Sequence, residues 1–149
     1  MHAAGVIHKK KLLLFAGRSG AGKSTISKLL VKTEDKILDE DQVLIRPLSD
    51  KTYSADAWGY SLKKNSAPIC GIFKLIQARQ DSILPLTQAQ TARLIFEQVN
   101  QAAANMIPID LYKTIFERSA DIARKVPSFE LHFRKSPDFW KLIDEFIPD

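Results

Sequence analysis

The chain has 149 residues, a length that fits one domain and excludes a two-domain enzyme, and its 45% hydrophobic content suffices for a core. One cysteine, Cys70, excludes an internal disulfide, and no apolar run is long enough for a membrane span or a signal peptide, so we expect a cytoplasmic protein. The net charge of +5 comes from short basic groups interspersed with acidic residues, without the basic and aromatic stripe that stacks bases, so we expect no nucleic-acid partner.

The first 45 residues alternate between apolar runs and polar turns. Residues 12–16 are continuously apolar and end at Gly17, which predicts a strand buried on both faces and entered from a hairpin. From Gly22 the apolar spacing becomes helical, and this helix is predicted to end near residues 32–35. Residues 37–45 predict a short strand interrupted by carboxylates.

The middle of the chain has a less regular pattern. Residues 47–68 show no clean period and predict irregular or edge structure, in which Trp58 is expected to pack. Residues 69–76 predict a second buried strand, and residues 82–86 predict a shorter one at a sheet edge because of Pro85.

The last third predicts helices and one strand. Thr87 and Gln90 form the pattern of a capping box, which begins a helix. Its predicted buried face is Ala92, Ile95, Phe96, Val99, Ala103 and Met106. Pro108 begins the next helix, which should stop before Pro127. Its predicted buried face is Leu111, Tyr112, Ile115, Phe116, Ile122 and Ala123.

A strand over residues 129–133 and a final helix complete the predicted order of elements. Ser136 is the expected N-cap of that helix, followed by Pro137 at its first position. The whole pattern predicts an α/β fold with a mixed sheet and C-terminal helices, formed by residues 1–149 as one domain.

A complete G-x-x-x-x-G-K-S phosphate loop follows the first apolar strand and precedes a helix, the context in which this motif binds a nucleotide. Glycines let successive N–H groups point at phosphate oxygens, and the helix adds its positive N-terminal dipole. Lys23 would bridge the β- and γ-phosphates, and Ser24 would give its hydroxyl to Mg²⁺. The predicted ATP-binding residues are Gly17, Ser19, Gly20, Ala21, Gly22, Lys23, Ser24 and Thr25.

Three consecutive acids, Asp39, Glu40 and Asp41, follow the next short apolar segment. A kinase needs one group that helps to hold Mg²⁺ and another that accepts the proton of the attacking hydroxyl, and adjacent acids could divide these tasks. A solvated strand end would have the same composition, so the acids alone leave both interpretations open.

With these motifs the sequence resembles the catalytic domain of the HPr serine kinase/phosphorylase family, whose fold is related to phosphoenolpyruvate carboxykinase. Residues 2–6 resemble the family's histidine-containing strand, residues 15–25 its phosphate loop and residues 38–43 its paired acids. Residues 67–73 and 126–140 are similar in character to short, single-domain HPr-kinase-like proteins.

The resemblance implies a Mg²⁺-dependent serine kinase that uses ATP. It implies Asp41 as the catalytic base, Glu40 as the acid that supports Mg²⁺, and His2 as a further active-site residue beside Lys23. Glu40 stands where the family usually has aspartate. The family's separate N-terminal domain and its HPr-docking segment have no match here, which implies another protein or peptide acceptor, recognised by this domain, by a second copy or by a partner chain.

Two alternatives to a protein or peptide kinase stay open at this point. The first is a nucleotide-binding sensor or assembly module without transferase activity, and the second is a small-metabolite kinase. Three arginines could stabilise charge on a transferring phosphoryl group, although a solvated position is expected for each: Arg18, Arg46 and Arg79. Cys70 is expected in the core, and the spacing of His8 and His132 predicts no zinc site.

Overall fold

The computed structural model describes residues 1–29, 35–59, 67–104 and 106–147. Its strands are β1 (Ala3–His8), β2 (Lys11–Ala16), β3 (Lys36–Asp39), β4 (Val43–Pro47), β5 (Tyr53–Ala57), β6 (Ile69–Gln77), β7 (Ser82–Pro85) and β8 (Ser128–Phe133). Its helices are α1 (Lys23–Leu29), α2 (Gln88–Ala102), α3 (Tyr112–Lys125) and α4 (Phe139–Phe146), with a 3-10 turn at Ile109–Leu111. No helix in these ranges is long and apolar enough to cross a membrane.

The strands form a six-stranded mixed sheet in the order β3-β1-β2-β6-β8-β7 and a separate two-stranded sheet of β4 and β5. Strands β2, β6 and β8 are parallel neighbours, whereas β1 pairs antiparallel with both β2 and β3. The α/β class with a mixed sheet is therefore confirmed. This topology places the carboxyl ends of β2, β3, β6 and β8, and the start of β1, at the same edge of the sheet.

A hydrophobic core lies on each face of the six-stranded sheet, because successive side chains of a strand point to opposite faces. One core joins Phe15 and Phe73 of the sheet to Phe139 and Trp140 of α4. The other joins sheet residues such as Leu14 to α2, α3 and the β4–β5 hairpin. The central strand β2 is buried on both sides, as its continuous apolar run predicts.

Three local sequence signals are confirmed. The predicted hairpin is the antiparallel pair β1–β2, and β7, with Pro85, is an edge strand. At the start of α2 the Thr87 side chain accepts a hydrogen bond from the Gln90 N–H, and the Gln90 side chain accepts one from the Thr87 N–H at 2.9 Å.

The prediction for residues 37–45 was wrong, and that for residues 47–68 was partly confirmed. The expected single strand over 37–45 is divided between β3 and β4, because the Asp39 carboxylate accepts hydrogen bonds from the N–H groups of Asp41 and Gln42 and forms a turn. Residues 47–68 were predicted as irregular or edge structure, and the edge alternative is confirmed, because this segment contains β5, a strand of the two-stranded sheet that is stabilised by pairing with β4 and by burial of Ala55. Residues 60–66, and residues 30–34 at the predicted end of the first helix, lie outside the described residues.

The predicted buried faces of α2 and α3 were partly wrong. Helix α2 ends at Ala102, so Met106 lies beyond it and is 79% exposed, and Leu111 and Phe116 are also exposed. The N-cap of helix α4 is Asp138 and not the predicted Ser136, so the helix begins at Phe139. The Ser136 hydroxyl instead accepts a hydrogen bond from the Asp138 N–H, which orders the residues before the helix.

Candidate functional site

The predicted phosphate loop, the three acids and His2 meet at the sheet edge that holds the carboxyl ends of the parallel strands. The loop follows β2, the acids follow β3, and His2 forms an isolated bridge with Gln42 just before β1. In open α/β sheets this edge is where ligands bind. His2 and Asp41, which are 39 positions apart in the chain, are therefore neighbours.

The loop over residues 17–22 has the backbone that its glycines predict. Gly20 and Gly22 have φ angles of 81° and 116°, a region that side chains disfavour. A Cβ at Gly22 would lie 2.4 Å from Cζ of Phe133, whereas a Cβ at Gly20 would meet nothing within 4 Å. Gly22 is thus required by both conformation and space, and Gly20 by conformation alone.

The Lys23 side chain folds back onto the loop that precedes it. Its side chain is buried, and Nζ donates hydrogen bonds to the carbonyl oxygen of Gly17 at 2.9 Å and to that of Arg18 at 3.5 Å. Burial lowers the pKa of this ammonium group, and the negative charge of Asp41 opposes that shift. The charged amine therefore lies at the entry of the loop, within electrostatic range of the acidic turn.

The three acids have three different environments. The Asp39 carboxylate accepts hydrogen bonds from the N–H groups of Asp41 and Gln42 at 2.9 Å and of Trp58 at 3.3 Å, which makes it a structural residue of the turn. Asp41 is 66% exposed and lies 2.7 Å from Nε2 of His2. Glu40 is exposed and makes no hydrogen bond or ion pair with any described residue.

His2 is fixed by its backbone as well as by its ring. Its N–H donates to the carbonyl oxygen of Gln98 in α2 at 3.0 Å, and the carbonyl oxygen of Met1 accepts from the Val43 N–H. Its ring is largely buried, with 14% of the side chain exposed. This support holds the ring in place beside the Asp41 carboxylate.

A Mg²⁺ ion takes oxygen ligands and usually keeps several waters, so one hydroxyl, one carboxylate and substrate phosphates are enough to hold it. Ser24 is exposed in the first turn of α1, and Glu40 is the acid whose carboxylate is not engaged by a described residue. Their hydroxyl and carboxylate oxygens are of the kind that Mg²⁺ takes, which is all that the predicted site requires of their chemistry. No group of three or more His, Cys, Asp or Glu residues that could hold a metal ion is found within the described ranges.

The sequence prediction missed several residues near the loop. Gln77 donates a hydrogen bond from Nε2 to the carbonyl oxygen of Gly20 at 2.8 Å. Its position at the end of β6, next to the phosphate-loop strand, was the signal that could have identified it. Trp58 was expected to pack but is 61% exposed beside the acidic turn, and Arg46, expected to be solvated, forms an ion pair with Asp56 at 2.7 Å.

A cavity of about 850 Å³ opens between the loop and helix α2. We call it the α2 cavity. It is lined by loop residues 17–21, by Lys74, Leu75 and Gln77 of β6, by Glu130 of β8, by Leu86, and by Gln90, Arg93, Leu94, Glu97 and Gln98 of α2. Lys74 donates a hydrogen bond to Glu130 at 2.7 Å, and this bond lowers the pKa of Glu130.

The chain belongs to the ScmC family, because residues 1–148 match the family model described as SynChlorMet cassette protein ScmC. A comparison with curated proteins found no match. The family description names a cassette and no reaction, so the resemblance to HPr kinases stays a prediction.

Proposed function

We propose that this protein is an ATP-dependent kinase of the HPr-kinase-like type that transfers the γ-phosphoryl group to a serine-type hydroxyl of a protein or peptide. The observation that carries the proposal is the meeting of the phosphate loop, Lys23 and the His2–Asp41 pair at one sheet edge. A phosphate loop alone supports nucleotide binding. The exposed carboxylate beside it adds a group that can accept a proton.

The binding step uses the backbone of the loop and one side chain. The N–H groups of residues 17–25 would surround the phosphates, with the N-terminus of α1 behind them. On binding, the Lys23 ammonium would exchange the carbonyl oxygens of Gly17 and Arg18 for β- and γ-phosphate oxygens. The burial of the Lys23 side chain strengthens that interaction, because charges attract more strongly where water is excluded.

In the transfer step the acceptor Oγ attacks the γ-phosphorus and its proton passes to the Asp41 carboxylate. The new bond joins Oγ to the γ-phosphorus, and the bond to the β,γ-bridging oxygen breaks, so ADP leaves with the electron pair. His2 orients Asp41 through its 2.7 Å contact, which makes it a positioning residue. Mg²⁺, held by Ser24 and Glu40, would supply neutralisation of phosphate charge.

Three features favour a protein or peptide as the acceptor. The resemblance to HPr kinases favours a serine in a protein or peptide. The family description places its members in a cassette, which favours an acceptor that is another product of that cassette. Exposed Trp58, beside the acidic turn, offers an apolar contact for such an acceptor.

A second function has one observation in its favour. Several apolar side chains near the junction of α2 and α3 are exposed: Met106, Ile109, Leu111 and Phe116. A nucleotide-binding assembly module would use such a surface to contact a partner. It would bind ATP without acceptor-dependent turnover.

The experiment that separates these functions is mass spectrometry of cassette peptides and proteins after incubation with Mg-ATP, combined with an assay of ADP release. The kinase adds one phosphoryl group to a serine and releases ADP faster when the acceptor is present. ATP binding with no modified acceptor and no acceptor-dependent ADP release would contradict the kinase proposal and favour the assembly module.

A further inference from the structure

The α2 cavity lies beside the proposed proton acceptor as well as beside the loop. Its wall includes residues 17–21 of the loop and one face of α2 that extends to Gln98. The carbonyl oxygen of Gln98 accepts a hydrogen bond from the His2 N–H at 3.0 Å, and the His2 ring lies 2.7 Å from the Asp41 carboxylate. The cavity therefore adjoins both the loop and the residues that position Asp41, which is where the proposed transfer needs its acceptor.

The wall of the cavity has more cations than carboxylates. Three cationic side chains line it against two acidic ones, and the five residues are Arg18, Lys74, Arg93, Glu97 and Glu130. Lys74 pairs with Glu130, and Arg93 pairs with Glu97, each at 2.7 Å. One positive charge of the wall, that of Arg18, is therefore left without a carboxylate of the wall to balance it.

The Arg18 guanidinium is available to a ligand. The residue is exposed, and its side chain makes no hydrogen bond or ion pair with any residue that the structure describes. Glu130 is already engaged, because one of its oxygens bonds Lys74 and the other lies 3.4 Å from Nε2 of His132. A guanidinium group presents a planar fork of N–H donors that matches the two oxygens of a carboxylate.

A second cation of the wall can adapt to a bound anion. Arg93 and Glu97 are one helical turn apart, and their side chains are 81% and 53% exposed. An exposed pair of this kind contributes little to stability, so Arg93 can leave Glu97 for a carboxylate in the cavity at little cost. The loop and the helix would then each supply one guanidinium group to the same ligand.

The length of the cavity limits how far such a carboxylate lies from the acceptor hydroxyl. The wall follows α2 from Gln90 to Gln98, a length of about 12 Å at the helical rise of about 1.5 Å per residue. An extended peptide covers that distance with about four residues at roughly 3.3 Å each. A peptide acceptor therefore has its acidic side chain close to the serine in sequence.

We infer that the α2 cavity binds an acidic segment of the acceptor, and that Arg18 binds an aspartate or glutamate carboxylate within about four residues of the acceptor serine. This inference rests on the proposed kinase function. It makes Arg18 a residue that determines acceptor specificity.

The test uses three pools of synthetic peptides, each with one central serine and variable positions on both sides. The variable positions are drawn from Asp, Glu, Gly and Ala, from Asn, Gln, Gly and Ala, or from Lys, Arg, Gly and Ala. At saturating Mg-ATP, kcat/KM of the native chain for the acidic pool should be at least about tenfold higher than for either other pool. Equal values for the acidic and uncharged pools, or a preference for the basic pool, would overturn the inference.

The matched variants are Arg18→Gln and Arg118→Gln, which each remove one exposed arginine, although only Arg18 lines the cavity. Arg18→Gln should lower the ratio of kcat/KM between the acidic and uncharged pools about tenfold, mainly through a higher KM for the acidic pool. Arg118→Gln should leave this ratio unchanged. Because the ratio compares two pools on one protein, a general loss of activity cancels. Arg18→Glu should reverse the preference, so that the basic pool is phosphorylated faster than the acidic pool.

The remaining outcomes separate the inference from the proposed function. A weaker affinity for Mg-ATP in Arg18→Gln with an unchanged ratio would assign the guanidinium to a nucleotide phosphate. An equal fall of the ratio in Arg118→Gln would assign the acidic preference to the net charge of +5 and not to the cavity. Either result overturns the inference and leaves the kinase proposal intact. Failure to bind Mg-ATP, or binding without transfer to any pool or cassette protein, would overturn the proposed function itself.

Discussion

A histidine lies at each end of β1, and the two differ in the number of carboxylates that their rings bond. His8 bonds carboxylates through both ring nitrogens, Asp35 at 2.8 Å and Asp144 at 2.7 Å, and packs against the Trp140 ring at 5.0 Å. His2 bonds one carboxylate, Asp41, which is 66% exposed. The side-chain exposure of the two histidines is equal at 14%, so the difference lies in their partners.

This difference indicates which end of β1 stabilises the fold. At His8 the hydrogen-bonding groups are used up in joining the hairpin turn to α4, since Lys9 also pairs with Asp144. At His2 the paired carboxylate faces solvent beside the phosphate loop and keeps capacity for a further partner. We therefore expect substitutions at the His8 end to change stability and substitutions at the His2 end to change phosphoryl transfer.

The largest effect is expected for Asp41→Asn. Loss of the proton acceptor should lower kcat by roughly 100- to 10,000-fold, the usual contribution of a general base. The affinity for Mg-ATP should fall little, because the phosphate loop is intact. Steady-state kinetics with a phosphorylatable peptide and calorimetric titration with Mg-ATP measure the two quantities, and undiminished transfer would contradict the assignment of Asp41.

The paired variants His8→Ala and His2→Ala test the comparison directly. His8→Ala should lower the free energy of unfolding by about 1.5–3 kcal/mol, because hydrogen bonds to charged groups are lost at both ring nitrogens. His2→Ala should change it by less than about 1 kcal/mol but reduce kcat. Denaturant unfolding and kinetics on both proteins provide the measurements. The opposite pattern would show that the structural end of β1 has been wrongly identified.

Two glycines of the loop offer a matched pair with a smaller effect. Gly22→Ala combines a φ of 116° with a contact of 2.4 Å to Phe133, so it should cost more than about 2 kcal/mol of stability and weaken Mg-ATP binding. Gly20→Ala meets no atom within 4 Å and should cost only about 1 kcal/mol of backbone strain. Thermal unfolding with and without Mg-ATP compares them, and equal costs would contradict the loop geometry.

The smallest expected effect is on the pH dependence of the free energy of unfolding, and it concerns the hydrogen bonds of Asp121. A hydrogen bond from Lys125 and another from the Tyr53 hydroxyl lower the pKa of Asp121 to about 2. The stabilisation of the fold by the Asp121 carboxylate is therefore complete above the pKa of about 3.9 that this group has in the unfolded chain, and it is lost as the pH falls through about 2. Asp121→Asn should flatten this part of the curve of unfolding free energy against pH, whereas Asp50→Asn, an exposed control, should leave it unchanged. Identical curves for Asp121→Asn and the native chain would refute the assignment.

Features encoded by neighbouring residues could be predicted from the sequence. The glycine conformations of the loop over residues 17–22, the capping box at Thr87 and the apolar run of β2 each occupy fewer than ten positions, and their conformations follow from local chemistry. Strand β5 could not be predicted this way, because its stability comes from pairing with β4 and from burial of Ala55.

The candidate site shows the same division. Lys23 was predicted from the loop motif and Asp41 from the family resemblance, whereas the hydrogen bond from His2 to Gln98 joins residues 96 positions apart and forms only when α2 packs beside β1. The sequence of three acids also could not show that the Asp39 carboxylate accepts hydrogen bonds from three backbone N–H groups, whereas Asp41 is exposed. Tertiary contacts decide which of several similar residues keeps a free functional group.

The central claim, that this sheet edge binds a nucleoside triphosphate for transfer, is tested most directly by isothermal titration of Mg-ATP into the native chain and its Lys23→Ala and Asp41→Asn variants. We predict saturable binding at one site for the native chain and for Asp41→Asn, and binding at least about tenfold weaker for Lys23→Ala, because this variant lacks the ammonium group that we propose to contact the phosphates. Absence of binding to the native chain, or equal affinity in Lys23→Ala, would contradict the claim.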